Sequence, residues 1–315
     1  MSDDQTRSGK GNVRIKAAIV GLGWWGKTLR ERLTRSRTIQ VTHGVDPAIA
    51  TAGDLDGLFG LTLTARYEDI LASPEIDAVI IATPHLLHEA QAMAAIAAGK
   101  HVFCEKPLTL TATSAAKLVE ASQKSGLVLG VGHERRFETT LRALTKLVKS
   151  GEIGEIVHVD CNWSHQGVSV LADDNWRKDP AQAPCGMFTG LGIHITDWVL
   201  STLGPVAEIS AMTREGTGMG RNSASVAIQF TMESGVEGWL CCLGTTPFYF
   251  RLAVFGTAGW AEVRQSENVD KARQATMHVS LNGKVEQRVY DLNDAVLENL
   301  DAWGDAILGK AVYPF

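Results

Sequence analysis

Ile15-Lys16-Ala17-Ala18-Ile19-Val20 runs straight into Gly21-Leu22-Gly23-Trp24-Trp25-Gly26, and a helical pattern follows. An apolar strand, a G-x-G-x-x-G turn and a helix, in that order, leave few folds open. Glycines there let the backbone turn tightly and bring a helix N-terminus close to a pyrophosphate. The rhythm then continues. β-rich runs at 39–45, 77–83, 101–104 and 127–132 alternate with helical stretches at 27–35, 86–98 and 111–124. The last two helices close on Gly99 and Gly126, the glycine stops expected at helix ends. Such alternation predicts right-handed βαβ units and a parallel sheet covered on both faces. The run Asp77–Thr83 is nearly all apolar, as a central parallel strand should be.

After Gly132 the pattern changes. A helical stretch at 137–149 closes on Gly151. Longer strand-like runs follow at 155–165, 206–213, 223–232, 236–244, 250–256 and 276–283, and a helix at 293–308 finishes the chain. Many of these runs alternate in polarity, which suits an antiparallel sheet with one wet face. The fold class expected is therefore α/β. An N-terminal doubly wound parallel sheet of the Rossmann type is joined to a C-terminal α+β domain with a large open, mainly antiparallel sheet. The expected boundaries are a disordered leader at 1–13, a dinucleotide-binding domain at 14–133 and a substrate-binding and oligomerisation domain at 134–315.

Composition narrows the class further. The 315 residues carry a net charge of −5 with both signs interspersed, not the basic stripe that nucleic acid demands. No apolar run approaches the ~18 residues of a membrane span. The polar N-terminus has no apolar core of a secretory signal. Five cysteines show no CxxC pairing and no metal spacing, which suits a reducing cytoplasm. Neither a nucleic-acid partner, a membrane nor a metal is expected.

The second run ends in Val45-Asp46-Pro47. Asp46 stands where a carboxylate would accept the ribose hydroxyls of NAD. It could equally open a turn before proline, and Arg35 or Arg37 could meet the 2′-phosphate of NADP instead. Of Trp24 and Trp25, one could wall the nicotinamide or substrate, or pack beneath the helix. The fifth run, His101–Cys104, delivers Glu105-Lys106-Pro107 to its tip. In a doubly wound sheet ligands bind beyond the carboxyl ends of the strands. Lys106 should therefore sit at the mouth of the crevice, where drying would lower its pKa, and the Lys106–Pro107 bond is a candidate cis peptide.

With these residues in view, the chain resembles the glucose–fructose oxidoreductase / inositol dehydrogenase (Gfo/Idh/MocA) family. The likeness rests on the glycine loop, Ala82-Thr83-Pro84 with Leu87-His88, Glu105-Lys106-Pro107, Arg136-Phe137, Trp176-Arg177, and Gly192-Ile193-His194 with Asp197. It spans roughly residues 15 to 200. The resemblance implies an NAD(P)-dependent enzyme transferring a hydride between nicotinamide and a secondary alcohol or ketone of a sugar, polyol or related compound. It implies that Lys106 contacts nicotinamide and substrate, that His194 is the acid/base, and that Ala82, Thr83, Pro84, His88 and Glu105 lie by the cofactor. Trp176, Arg177 and Asp197 fall to the substrate, and the exposed face of the C-terminal sheet could support a homodimer or homotetramer.

One position departs from the family. Relatives commonly carry aspartate four residues before the histidine, on the same helical face; here that residue is Gly190. Asp197, three residues after His194, is the nearest candidate substitute, and Thr189 points elsewhere on a regular helix. The gap keeps two other readings open, a non-catalytic dinucleotide-binding regulator and a lyase or hydrolase that recycles its NAD. Net NADH formation would separate the dehydrogenase from both. His85 and His88 form an H-x-x-H without an evident third ligand. Cys241-Cys242 on a strand point to opposite faces.

Overall fold

Six parallel strands form the first sheet of the computed structural model, which describes residues 14–50, 60–216, 220, 222–268 and 271–315. The expected leader, 1–13, lies outside them. The first units are β1 (Ile15–Val20), α1 (Trp24–Leu33), β2 (Ile39–Val45), β3 (Thr62–Thr64) and α2 (Tyr67–Ala72). They are followed by β4 (Ala78–Ile81), α3 (His88–Ala97), β5 (His101–Cys104), α4 (Ala112–Ser125) and β6 (Leu129–Val131). The spatial order is β3-β2-β1-β4-β5-β6, with every pair parallel. This is the doubly wound order whose reversal lies between β1 and β4. All four residues of β4 are buried, so polar groups emerge only at the strand's ends. Thr111 caps α4 by accepting from the Ser114 amide at 3.1 Å, and Gly126 ends it at φ +65°.

The chain then crosses by α5 (Thr139–Ser150) to β7 (Ile156–Ser164), and α6 (Ile193–Leu203) leads into seven more strands. These are β8 (Val206–Glu215), β9 (Ser223–Met232), β10 (Glu237–Leu243), β11 (Tyr249–Gly256), β12 (Gly259–Gln265), β13 (Gln274–Leu281) and β14 (Lys284–Asp291). The eight-stranded order is β14-β13-β12-β11-β7-β10-β9-β8. Every pairing is antiparallel except that of β7 with β10. One face packs on α5 and α6 through Leu144, Trp198, Leu240 and Val254. The other carries an ion-pair network in which Arg251 donates to Asp160 at 2.5 Å and to Glu262 at 2.6 Å.

Alternation predicted six strands of this sheet but passed over β12 and β14, and in the first lobe it passed over the short β3 and α2. The last helix, α7 (Ala295–Ile307), departs from the expected division of the chain at 133/134. It returns to the first sheet, where Val296, Leu300 and Trp303 join the core built on β1 and β5. The Trp303 ring meets Phe103 edge-on at 5.6 Å and its indole N–H donates to the Val128 carbonyl at 3.2 Å. Asn299 Nδ2 and the Tyr313 hydroxyl both donate to the Val131 carbonyl, at 2.9 and 3.1 Å, covering the edge strand β6. Periodicity reports that a helix is amphipathic but not which sheet it covers. Among the described residues, no helix is long and apolar enough to cross a membrane.

Candidate active site

The glycine loop has the geometry its spacing promised. Gly21 adopts φ +92°, and a Cβ there would press on the Ala82 carbonyl oxygen at 2.8 Å. A Cβ on Gly26 would collide with the Gly21 carbonyl oxygen, so the third glycine lets α1 sit against the turn. At Gly23, the residue capping α1, no atom lies within 4 Å of where a Cβ would be. That open backbone at the start of a ten-residue helix fits a pyrophosphate. Asp46 holds the loop from below: its carboxylate accepts from the Leu22 amide at 2.8 Å and from the Ala48 amide at 2.9 Å. The second contact is the turn opener that Asp-Pro suggests, and lone pairs remain on both oxygens for a ribose. Arg35 is ion-paired to Asp294 at 2.5 Å and Arg37 to Asp305, so both are engaged with α7 and its N-cap.

Beyond the loop, a cavity of about 430 Å³ opens between the two sheets. From the first lobe it is lined by Trp24, Trp25, Ala82, Thr83, His85, His88, Glu105 and Lys106, and from the second by Trp176, Arg177, Gly190 and His194. Gly21, Gly23, Gly26, Asp46, Pro84 and Asp197 do not line it. The two tryptophans divide their tasks. Trp25 packs against the core of the first sheet, and Trp24, 61% exposed, stands 5.2 Å from it at the cavity wall. His88 braces the floor, with Nδ1 at 2.7 Å from the Pro107 carbonyl and Nε2 at 3.0 Å from the Thr83 carbonyl. Trp176 meets His85 edge-on at 4.6 Å and Arg177 at 4.2 Å, joining the lobes. No group of three metal-ligating side chains occurs among the described residues.

Lys106 leaves the tip of β5 through a cis Lys106–Pro107 peptide. Its ammonium donates to the Gly190 carbonyl at 2.6 Å, a contact made across the lobe boundary. Burial lowers its pKa, while Glu134 and Glu105 pull the other way. Glu105 is buried at the cavity floor; lost solvation, and next the charge of Glu134, raise its carboxyl to about 7. His194 is held neutral, its pKa well below the usual value through burial and then the charge of Lys106.

The regular helix assumed around His194 is absent. Phe188–Gly192 forms a π-helical turn before α6 begins at Ile193. The extra residue per turn breaks the four-residue spacing between 190 and 194. It also turns the buried Thr189 hydroxyl to the Pro184 carbonyl. Asp197 is removed from the reacting region: both its oxygens are taken by Arg136, at 2.7 and 2.6 Å. The arginine that binds it also lies 4.0 Å over the Phe315 ring.

Sequence reasoning missed the groups that surround His194. They are Glu134, Arg135 and Trp163, with Met187 and Asn268 farther round the wall. Glu134 Oε1 lies 3.6 Å from His194 Nε2. Arg135 stacks 4.5 Å over Trp163 and pairs with Glu138. His133 meets His194 edge-on at 5.5 Å. A signal for them was present. Gly132-His133-Glu134 follows β6, so the strand-tip rule that selected Lys106 points there as well.

A doubly wound sheet, a glycine loop open at its middle glycine and a cavity holding lysine and histidine mark a dinucleotide-binding protein. Residues 15–133 match the oxidoreductase family with the NAD-binding Rossmann fold, and residues 141–262 match the GFO/IDH/MocA C-terminal domain. The chain belongs to this family, and its cofactor is NAD(P). Among curated relatives, it is 34% identical to inositol 2-dehydrogenase of Pseudomonas syringae over 175 residues, 54% of this chain and 50% of that one. The chain spans about half the length of the curated relatives it matches. Among solved structures, aldose-aldose oxidoreductase from Caulobacter crescentus, complexed with glycerol, superposes with a TM-score of 0.84 at 22% identity, covering 96% of this chain and 92% of that one. Levoglucosan dehydrogenase in complex with NADH and L-sorbose gives 0.82 at 18%, covering 96% of this chain and 91% of that one. These two likenesses concern the fold.

Proposed function

We propose that the protein catalyses reversible hydride transfer between NAD(P) and a secondary alcohol or ketone of a sugar, polyol or related hydroxy compound. The observation that carries the reading is the convergence of Lys106 and His194, from separate lobes, on one cavity beside the glycine loop. Bound nicotinamide supplies the hydride acceptor in the oxidative direction. His194, neutral and lining the cavity, takes the hydroxyl proton on its imidazole. Lys106 holds the oxygen that gains negative charge, and its lowered pKa brings it nearer to proton exchange at neutral pH. The buried Trp163, with Trp176, brings apolar surface to the cavity wall, which would strengthen both interactions. Trp176 and Arg177 would orient the remainder of the substrate.

The same reading places the protein in the cytoplasm as a homodimer or homotetramer, formed through the outward face of the second sheet. Absorbance of reduced nicotinamide, with polyols, aldoses and hydroxy acids and with NAD and NADP in parallel, is the test. Reduction with at least one member of the panel is expected. Tight cofactor binding without net reduction by any compound would replace the dehydrogenase with a regulatory or NAD-recycling role.

A further inference from the structure

Two arginines line the cavity, and they differ in their partners. Arg135 is buried and ion-paired with Glu138. Arg177 is half-buried, and among the described residues no side chain accepts from its guanidinium. It lies 4.2 Å over the ring of its neighbour Trp176, which holds the cation without neutralising it. Lost solvation lowers its pKa, and no carboxylate acts against that fall. The two carboxylates of the cavity, Glu105 and Glu134, bear on Lys106 instead. The charge of Arg177 is felt at Lys106 and at His85, which burial keeps neutral. Between the lobes, Gly190 brings no side chain, and a Cβ there would meet only the Met187 side chain, at 3.6 Å.

We propose that the substrate is a hydroxy acid of the aldonate or uronate kind, its carboxylate held by the Arg177 guanidinium while its carbinol lies by Lys106 and His194. This deepens the dehydrogenase reading and uses the same cavity. A cation partly withdrawn from water without a partner is costly, and an anion relieves that cost. A guanidinium also matches a carboxylate with two parallel N–H donors. The pyrophosphate of the dinucleotide is provided for elsewhere, at the open backbone of Gly23 in the first lobe. The oxidised nicotinamide ring brings a further positive charge to the cavity, which favours an anionic partner again. The carboxylate takes no part in the redox step. The carbinol C–H hydride passes to oxidised nicotinamide and the O–H proton to the imidazole, leaving a carbonyl group and an unchanged carboxylate.

The test is a binding comparison on the NADH-loaded protein. D-gluconate, D-galacturonate and D-glycerate are titrated by calorimetry, each beside its primary amide. At least one acid is expected to bind about 10²-fold more tightly than its amide. In Arg177→Gln that preference should shrink to about twofold or less, while NADH affinity, read by tryptophan fluorescence, is kept. Arg177→Lys, which keeps the charge and loses the fork, should recover part of the preference. Failure of every acid to bind, or equal binding of acids and amides, overturns the assignment, and this comparison needs no variant. So does a loss of NADH affinity in Arg177→Gln with the acid preference intact, which would make Arg177 a cofactor residue. An acid that binds with this preference but reduces no NAD(P) supports the assignment and counts against the dehydrogenase reading alone. Oxidation of neutral polyols with no preference for acids does the reverse.

Discussion

The two sheets treat their faces and edges differently. In the six-stranded sheet β4 is buried along its whole length, and α7 with Tyr313 covers the edge at β6. In the eight-stranded sheet the edge strands β8 and β14 are largely exposed, with Ile209 at 68% and Met212 at 72%. Where a sheet is covered on both faces, charged groups can leave it only at strand tips. The tips of β5 and β6 accordingly deliver Glu105-Lys106 and His133-Glu134 to one place. The open sheet gives its inner face to the core and the site wall, and leaves an outer face and two edges for contacts with other molecules. A long exposed edge is a pairing hazard. Charged residues such as Lys284, Glu286 and Arg288 along β14 reduce it.

The largest expected effect is at a tip of the covered sheet. Lys106→Ala should lower kcat by about 10²–10⁴-fold while nicotinamide binding, followed by tryptophan fluorescence, persists. Full activity would detach the strand tip from the chemistry. Next comes the covering helix itself. Trp303→Ala should cost about 3–5 kcal/mol in denaturant unfolding, because the ring is wholly buried against Phe103. A cost below about 1 kcal/mol would mean that α7 contributes little to the first sheet.

Acid should act on the interface between the sheets. Burial first, then neighbouring cations, holds His133 at about 4, and His85, His88 and His194 are lowered chiefly by burial too. The unfolded chain binds those protons from about pH 6.5 downward and the folded protein does not. Stability is therefore present above that pH and lost as pH falls toward the folded values. For His133 alone the loss approaches ~3 kcal/mol. The raised carboxyls of Glu105 and Glu134 act in the opposite sense, Glu105 gaining stability as pH falls from about 7, but they are two against four. Urea midpoints at pH 7.5 and 5 should therefore differ, with the lower at pH 5. The smallest effect is on the open sheet. Ile209→Lys should change protomer stability by no more than about 0.5 kcal/mol, and its signature should be a shift to smaller species in sedimentation.

Much of the first lobe was legible in the chain. A fully apolar strand, a glycine loop and the spacing to Asp46 are local patterns, and parallel βαβ geometry converts them directly into positions. Lys106 could be assigned because the tip of a buried strand has only one direction to open. His194 was legible as a residue but not in its surroundings. The four-residue helical spacing failed at the π turn, Asp197 turned to Arg136, and Glu134 came from another strand tip. The last two outcomes depend on contacts between segments about 60 residues apart, which periodicity does not encode.

The sequence by itself determined the strand–helix alternation, the glycine loop and the arrival of a lysine at the crevice, because each follows from backbone sterics and burial within a few tens of residues. Only the tertiary structure decided that α7 belongs to the first sheet, that Asp46 steadies the loop it borders, and that a glutamate after β6 faces the histidine. In each case several partners satisfied the local pattern, and close packing of two lobes around one cavity selected among them.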